Sequence, residues 1–287
     1  MPSTSPNAQP KTALITGTSS GIGLAAAVAA AQAGWHTVAT MRDTSRADAL
    51  RQAAADAGVA DRIEVRRLDV TDPASVAACV EAVLAEHGRL DAVVNNAGAG
   101  HVGTIEQETV ADVRAVMEVN FFGVVEVARA TLPHLRASRG RLITVTSVGG
   151  VVGQPFNEAY CAAKFAVEGF LESLAPVAAT TGVTVTLVEP GAVASEFVAN
   201  VNVDIPAALE AAGPYAPALR NYLDRTANAF AAAQSPADAA ATIVAALEAD
   251  RPALRMQTSE AARGFVATKL KDLDGSATLA VTNGWVA

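Results

Sequence analysis

Two cysteines, Cys79 and Cys161, are all that the 287 residues contain, and they stand far apart with no CxxC spacing. That excludes a disulfide framework and a thiolate metal site, and two reduced thiols fit a cytoplasmic chain. The four histidines, His36, His87, His101 and His134, show no i,i+3 or i,i+4 pairing. A helical zinc motif is therefore missing, and the sequence leads to no expectation of a metal. Lysine is scarce, four of 21 basic residues, and 29 acidic residues leave a formal net charge of −8. No basic block is long enough to track a phosphate backbone, which argues against nucleic acid. A long apolar run is missing too. The longest stretch without a charged side chain, residues 12–41, is interrupted by Gly17, Gly21, Gly23, Gly34 and His36 and does not read as a membrane span. Residues 1–10 carry Pro2, Pro6 and Pro10, lack a basic-then-apolar leader, and read as a disordered tail. The mean hydropathy of +0.28 comes instead from 65 alanines, since aromatics make up only 5%.

What is present is alternation. Short strand-type runs at Thr12–Thr16, His36–Met41, Ile63–Leu68, Ala92–Asn95, Leu142–Thr146 and Val183–Val188 are separated by helix-type segments. These are Gly21–Ala33, Ser45–Ala57, Pro73–His87, Val110–Leu132 and Asn157–Thr180. The pattern predicts an α/β fold: a doubly wound parallel sheet of the Rossmann kind in three αβα layers. One domain is expected over 11–287. After Val188 the alternation stops, and about 190–235 reads as a region covering a substrate crevice at the strand ends. A helix at Pro236–Glu248, a late strand at Pro252–Met256 and a helix from Ser259 to about Leu270 follow. Pro176, inside the 157–180 segment, should kink that helix or end it early.

Thr16-Gly17-Thr18-Ser19-Ser20-Gly21-Ile22-Gly23 follows the first strand and opens the first helix. Small residues there let the backbone approach a pyrophosphate, whose charge meets the helix N-terminal N–H groups. A plain Gly/Ser turn is the alternative. At the end of the second strand an acid would select NAD, whereas arginine accommodates the 2′-phosphate of NADP. Met41 occupies that place and Arg42 follows, so NADP(H) is favoured, with Ser19 as an added donor. Asp43 opposes this unless its carboxylate turns away.

Tyr160 and Lys164 are four residues apart on a predicted helix and share a face. With three tyrosines and four lysines in the chain, chance supplies such a pair only about 0.04 times. A nearby ammonium favours a phenolate and makes tyrosine a usable acid–base near neutrality. Packing of a tyrosine beside a lysine is the competing reading. Ser147, at the end of the fifth strand, can donate to a developing oxyanion, but spacing does not choose it over Thr144 or Thr146. Asn120 sits mid-helix, a position that asks for a polar task or a satisfied core amide.

Taken in order, these features resemble the classical short-chain dehydrogenase/reductase family over about residues 11–195. The marks are TGTSSGIG at 16–23, Asp69-Val70, NNAG at 95–98, Asn120, Ser147, YCAAK at 160–164 and Pro190-Gly191-Ala192-Val193. The resemblance implies a catalytic tetrad of Asn120, Ser147, Tyr160 and Lys164. It implies cofactor contacts from Gly17, Ser19, Ser20, Gly21, Ile22, Gly23 and Arg42. Further contacts are implied from Asp69 and Val70 at the adenine, Asn96, Ala97 and Gly98, the pair Tyr160 and Lys164, and Pro190, Gly191, Val193 and Ser195 at the nicotinamide. Ser195 stands where the family usually has threonine. Residues 147–175, MRD at 41–43 and PALRMQT at 252–258 are similar to the branch of type 1 17β-hydroxysteroid and photoreceptor-type retinol dehydrogenases. That branch implies NADP(H) and a lipophilic alcohol or ketone.

The expectation is thus reversible hydride transfer between NADP(H) and a lipophilic secondary alcohol or ketone. The alternatives are reduction of a 3-oxoacyl thioester, or NADP(H) sensing without chemistry. Apolar residues Val113, Val116, Met117, Phe121, Val124 and Ala128, with Phe165, Gly169 and Phe170, exceed what one sheet face needs and suggest a homodimer or tetramer; a core role serves them nearly as well.

Overall fold

The computed structural model describes residues 10–195 and 204–287. Seven parallel strands run β1 (Thr12–Thr16), β2 (His36–Met41), β3 (Ile63–Arg67), β4 (Ala92–Asn95), β5 (Arg141–Val145), β6 (Thr184–Glu189) and β7 (Arg255–Gln257). Their spatial order is β3-β2-β1-β4-β5-β6-β7. The order reverses between β1 and β4, so the crevice at the carboxyl ends of these two strands is the natural ligand position of such a sheet. Continuous apolar strands such as Val93-Val94 are buried on both faces.

One face is covered by α3 (Pro73–His87), α5 (Gly123–Ser138) and α6 (Glu158–Ala179), packed on Leu14, Val93, Leu142 and Leu187. The other is covered by α1 (Gly21–Gln32) and α9 (Pro236–Glu248), packed on Ile15, Val94 and Ile143. Alanines dominate α1, and Ala26, Ala27 and Ala30 lie flush against the sheet with no exposure. The doubly wound, three-layer architecture is the expected one. The remaining helices are α2 (Asp48–Asp56), α4 (Val110–Met117), α7 (Ile205–Ala211), α8 (Ala216–Ala231), α10 (Glu260–Leu270) and α11 (Ser276–Asn283). Among the described residues no helix is long and apolar enough to cross a membrane.

Three expectations need refinement. The helix predicted over Val110–Leu132 is present and runs on to Ser138, but a π-helical turn at Glu118–Phe122 is set within it, between α4 and α5. Pro176 does not end α6, which runs on to Ala179. Leu171 and Ala178, buried on either side of it, hold the helix to the sheet at the expense of one backbone bond. Helices α7, α8 and α11 lie where no regular structure was foreseen. The tail read at residues 1–10, apart from residue 10, and residues 196–203 of the covering region lie outside the described residues.

Candidate active site

The turn between β1 and α1 presents backbone where side chains would obstruct. Gly17 has φ +71°, and a Cβ there would lie 2.7 Å from Ala97 Cα. A Cβ on Gly23 would lie 2.2 Å from Gly17 O and 2.3 Å from Asn96 Nδ2. Asn96 explains this tightness: its Nδ2 donates to Thr16 O and Gly17 O, both at 2.9 Å, while its N–H and that of Ala97 donate to Thr16 Oγ1 at 3.0 Å. The NNAG segment after β4 thereby braces the glycine turn. Ser20 begins α1 without a side-chain cap, and no acid stands in the first turn. The α1 N-terminus is left suited to an anion. A cleft of about 590 Å³ opens there, lined by Ser19, Ser20, Gly21, Leu24, Ala49, Ala194, Ser195 and Pro236. These residues fit the pyrophosphate of a dinucleotide. Ile22 is partly buried against the core below the cleft.

Arg42 is exposed beyond β2. The Asp43 carboxylate is engaged locally: its Oδ1 accepts from Ser45 N at 3.0 Å and Ser45 Oγ at 2.7 Å, bonds that lower its pKa. The Asp69 carboxyl, raised by burial, is lowered further by hydrogen bonds from Thr71, with Arg42 and Arg67 also nearby, so it stays ionised. Val70 packs its Cγ2 against Gly123.

The tetrad candidates converge at the ends of β4 and β5. Thr146 N donates to Val188 O at 2.7 Å and Val148 N to Pro190 O at 2.9 Å, zipping the loops after β5 and β6 together. Ser147 sits between these bonds, in extended backbone, its Oγ accepting from Gly149 N at 2.9 Å. The point where Gly149 would carry a Cβ lies 3.3 Å from Ser147 Oγ, 3.3 Å from Gln154 Nε2 and 3.4 Å from Tyr160 Cε1. Ser147, not Thr144 or Thr146, is the hydroxyl that faces Tyr160; Thr146 Oγ1 donates to Val188 O, and Thr144 Oγ1 accepts from Asn95.

One turn along α6, Lys164 is buried, with Nζ donating to Val145 O at 3.3 Å and lying 5.8 Å from the Tyr160 ring centre. Burial pulls the Lys164 pKa down to about 8, against the opposing pull of Glu168. Burial pushes the Tyr160 pKa up, and a hydrogen bond with Ser147 opposes that rise. Asn120, fully buried in the π-helical turn, donates from Nδ2 to Ala99 O (3.0 Å) and Val116 O (3.1 Å) and accepts from Ala99 N (3.2 Å). Its mid-helix place is explained by this clamp on the loop after Gly98. Gly98 lies between Asn120 Oδ1 and Lys164 Nζ, 2.9 Å and 3.5 Å from its would-be Cβ. Pro190 and Val193 are buried and Gly191 and Ser195 partly so. The segment is tied down by Gln234, whose O accepts from Ala194 N and whose N donates to Ala192 O.

Sequence reasoning passed over two features here. Gln154 borders the Ser147–Tyr160 gap, yet lies in a loop without a signature. Asn157 reads as an ordinary helix cap, but its side chain makes no capping bond and donates instead to Pro155 O and to the Tyr222 hydroxyl on α8. Helix α8 is thereby tied three residues from Tyr160, and Tyr222 also packs on Phe156.

The family model described as short chain dehydrogenase matches residues 11–206. Retinol dehydrogenase 8 of Bos taurus is 39% identical over 281 residues, 93% of this chain and 87% of that protein. The 17-beta-hydroxysteroid dehydrogenase type 1 of Homo sapiens is 38% identical over 270 residues, 92% of this chain and 82% of its own. Among solved structures, a short-chain dehydrogenase from Streptomyces avermitilis superposes with a TM-score of 0.76 at 33% identity, covering 96% of this chain and 98% of that one.

Proposed function

Because the chain belongs to the short-chain dehydrogenase family, we propose that it interconverts a lipophilic secondary alcohol and its ketone with NADP(H), using Tyr160 as acid–base. The convergence of Ser147 and Tyr160 at Gly149, with Lys164 buried one turn on, is the observation that carries this reading. NADP(H), when bound, supplies or accepts the hydride. Everything else falls to the chain. In the reductive direction Ser147 donates a hydrogen bond to the substrate carbonyl oxygen, and the Tyr160 hydroxyl gives that oxygen its proton. The Lys164 ammonium stabilises the phenolate left behind, since an opposite charge nearby favours the ionised form. Asn120 has both amide N–H groups committed to backbone, so its assigned role is to hold the Ala97–Ala99 loop and, through Gly98, the space beside Lys164.

For the cofactor, residues 17–23 and 96–98 frame the pyrophosphate cleft, with Pro190, Gly191, Val193 and Ser195 at its nicotinamide end and Asp69 and Val70 toward the adenine. Arg42, exposed just beyond β2, is the residue to pair with a 2′-phosphate, and the neighbouring Asp43 carboxylate has hydrogen-bond partners of its own in Ser45. A lipophilic substrate is supported by the likeness to the retinol and hydroxysteroid dehydrogenases and by the apolar cluster of Phe156, Leu219 and Tyr222, which packs α8 against the chain just before Tyr160. Residues 11–287 form one unit in this reading, with 190–235 as its cover. A homodimer is assigned to the surface formed by the π-helical turn before α5, which carries Phe122, and by α6, which carries Phe165, both exposed.

Tyr160→Phe is expected to abolish NADPH-dependent reduction across a panel of hydrophobic ketones while NADPH still quenches protein fluorescence. Full turnover in that variant would overturn the mechanism. The same panel run with NADH is expected to be slower throughout, and preference for NADH would overturn the role of Arg42.

A further inference from the structure

At the opposite end of the sheet, away from Tyr160 and the glycine turn, three donor side chains converge from three elements. His36 opens β2, Glu64 is the second residue of β3, and His87 is the last residue of α3. Strand alternation places the first two together. Glu64 pairs with Val38 across the parallel ladder, and His36 lies two residues before Val38 on the same face. That face is the one α3 covers, since Val38 packs with Val76, Val80 and Val83. His87 arrives on it where α3 ends at Gly88 in the left-handed region.

We propose that His36, Glu64 and His87 form a binding site for one divalent transition-metal ion of the zinc class. His87 Nε2 lies 2.9 Å and His36 Nε2 3.5 Å from the same oxygen, Glu64 Oε2, and the three donor atoms all fall within 4.8 Å of one another. Ligands held about 2.0–2.2 Å from a tetrahedral zinc sit roughly 3.4 Å apart, so modest side-chain movement completes the set. The other Glu64 oxygen, Oε1, is held by Arg66, which also pairs with Glu86. Arg66 thus orients the carboxylate and leaves Oε2 turned to both imidazoles, as outer partners of metal ligands do.

Two further observations support a cation here. His36 Nε2 is shielded from solvent and has no hydrogen-bond partner, a state that buried polar atoms rarely keep. His87 also lies in the last turn of α3, where the negative end of the helix dipole favours positive charge. Two imidazoles and one carboxylate suit zinc, cobalt or nickel, and not magnesium or calcium, which take oxygen donors. An ion here would staple β2, β3 and α3 and stabilise the folded chain through binding that the unfolded chain lacks.

The test is Zn²⁺ titration by calorimetry of the full chain, freed of any affinity tag and stripped by chelator. The expected result is saturable binding of one equivalent with a rise in Tm. His36→Gln and His87→Gln, which keep an amide able to bond Glu64, should each weaken binding by about tenfold or more. His134→Gln should leave it unchanged. Co²⁺ added to the unaltered chain should give the intense visible bands of a low-symmetry nitrogen/oxygen site, a readout independent of how the variants fold. No saturable site, binding retained in the double His36→Gln/His87→Gln variant, or a Co²⁺ spectrum like that of the aqueous ion would overturn the proposal. The His87–Glu64 contact would then be a hydrogen-bonded clasp alone.

Discussion

Behind Lys164, one turn further along α6, Glu168 buries its carboxylate, and burial pushes its pKa up to about 7. Arg255 on β7 answers three carboxylates at once: Glu168, Glu189 at 2.9 Å and Glu172 at 2.6 Å. Glu189 also accepts from Gln257 at 2.8 Å. The cation does not cancel the burial of so much negative charge, and Glu168 Oε1 has no hydrogen-bond partner. A carboxyl whose folded pKa exceeds its unfolded value contributes stability below the unfolded value, and that contribution is lost as pH rises through the folded one. Between about pH 5 and pH 8 the unaltered chain should therefore lose stability on account of Glu168, a loss that Glu168→Gln lacks. Urea unfolding of both chains at the two ends of that window checks this; a stability difference that does not change with pH would contradict it.

At the scale of elements, the glycine turn and α6 show how local sequence meets tertiary constraint. The turn needs Gly23 because α1 crosses Gly17 O and Asn96 at a distance no side chain tolerates. Gly23→Ala should cut NADPH affinity at least about tenfold, because the backbone must shift where the pyrophosphate is cradled. Fluorescence titration measures it, with far-UV circular dichroism showing whether the fold persists; unchanged affinity would refute the cradle. The turn was legible because its residues are contiguous, as were Tyr160 and Lys164 on one helical face. Of the two outcomes Pro176 suggested, the early end does not occur, because helix propensity is a weak prior and buried neighbours on the sheet carry α6 past it to Ala179. The π-helical turn at Glu118–Phe122 left no periodic trace, although Asn120, the residue it serves, stood out as misplaced.

For the whole molecule, the apolar surplus noted in the sequence divides. Val124 and Ala128 belong to the core and Phe121 and Phe170 pack against it, whereas Phe165 remains 39% exposed, as does Phe122, which the sequence reading did not include, at 49%. If that face meets a second copy, light scattering should give about twice the 29.2 kDa chain mass, and Phe165→Asp should shift it toward the monomer. A monomer in the unaltered chain at micromolar concentration would count against the dimer. The sequence by itself determined the sheet, the helices on its two faces, the glycine turn and the Tyr–Lys pair, because each is written in periodicity or in residues a few positions apart. Only the tertiary structure decided which hydroxyl faces Tyr160, that Asn120 clamps a backbone loop, and that Tyr222 reaches Asn157. It also joined His36 to His87, fifty-one positions apart in the sequence, beside Glu64. Those pairings depend on strand register and on where helices end, and contacts set by register carry no signature along the chain.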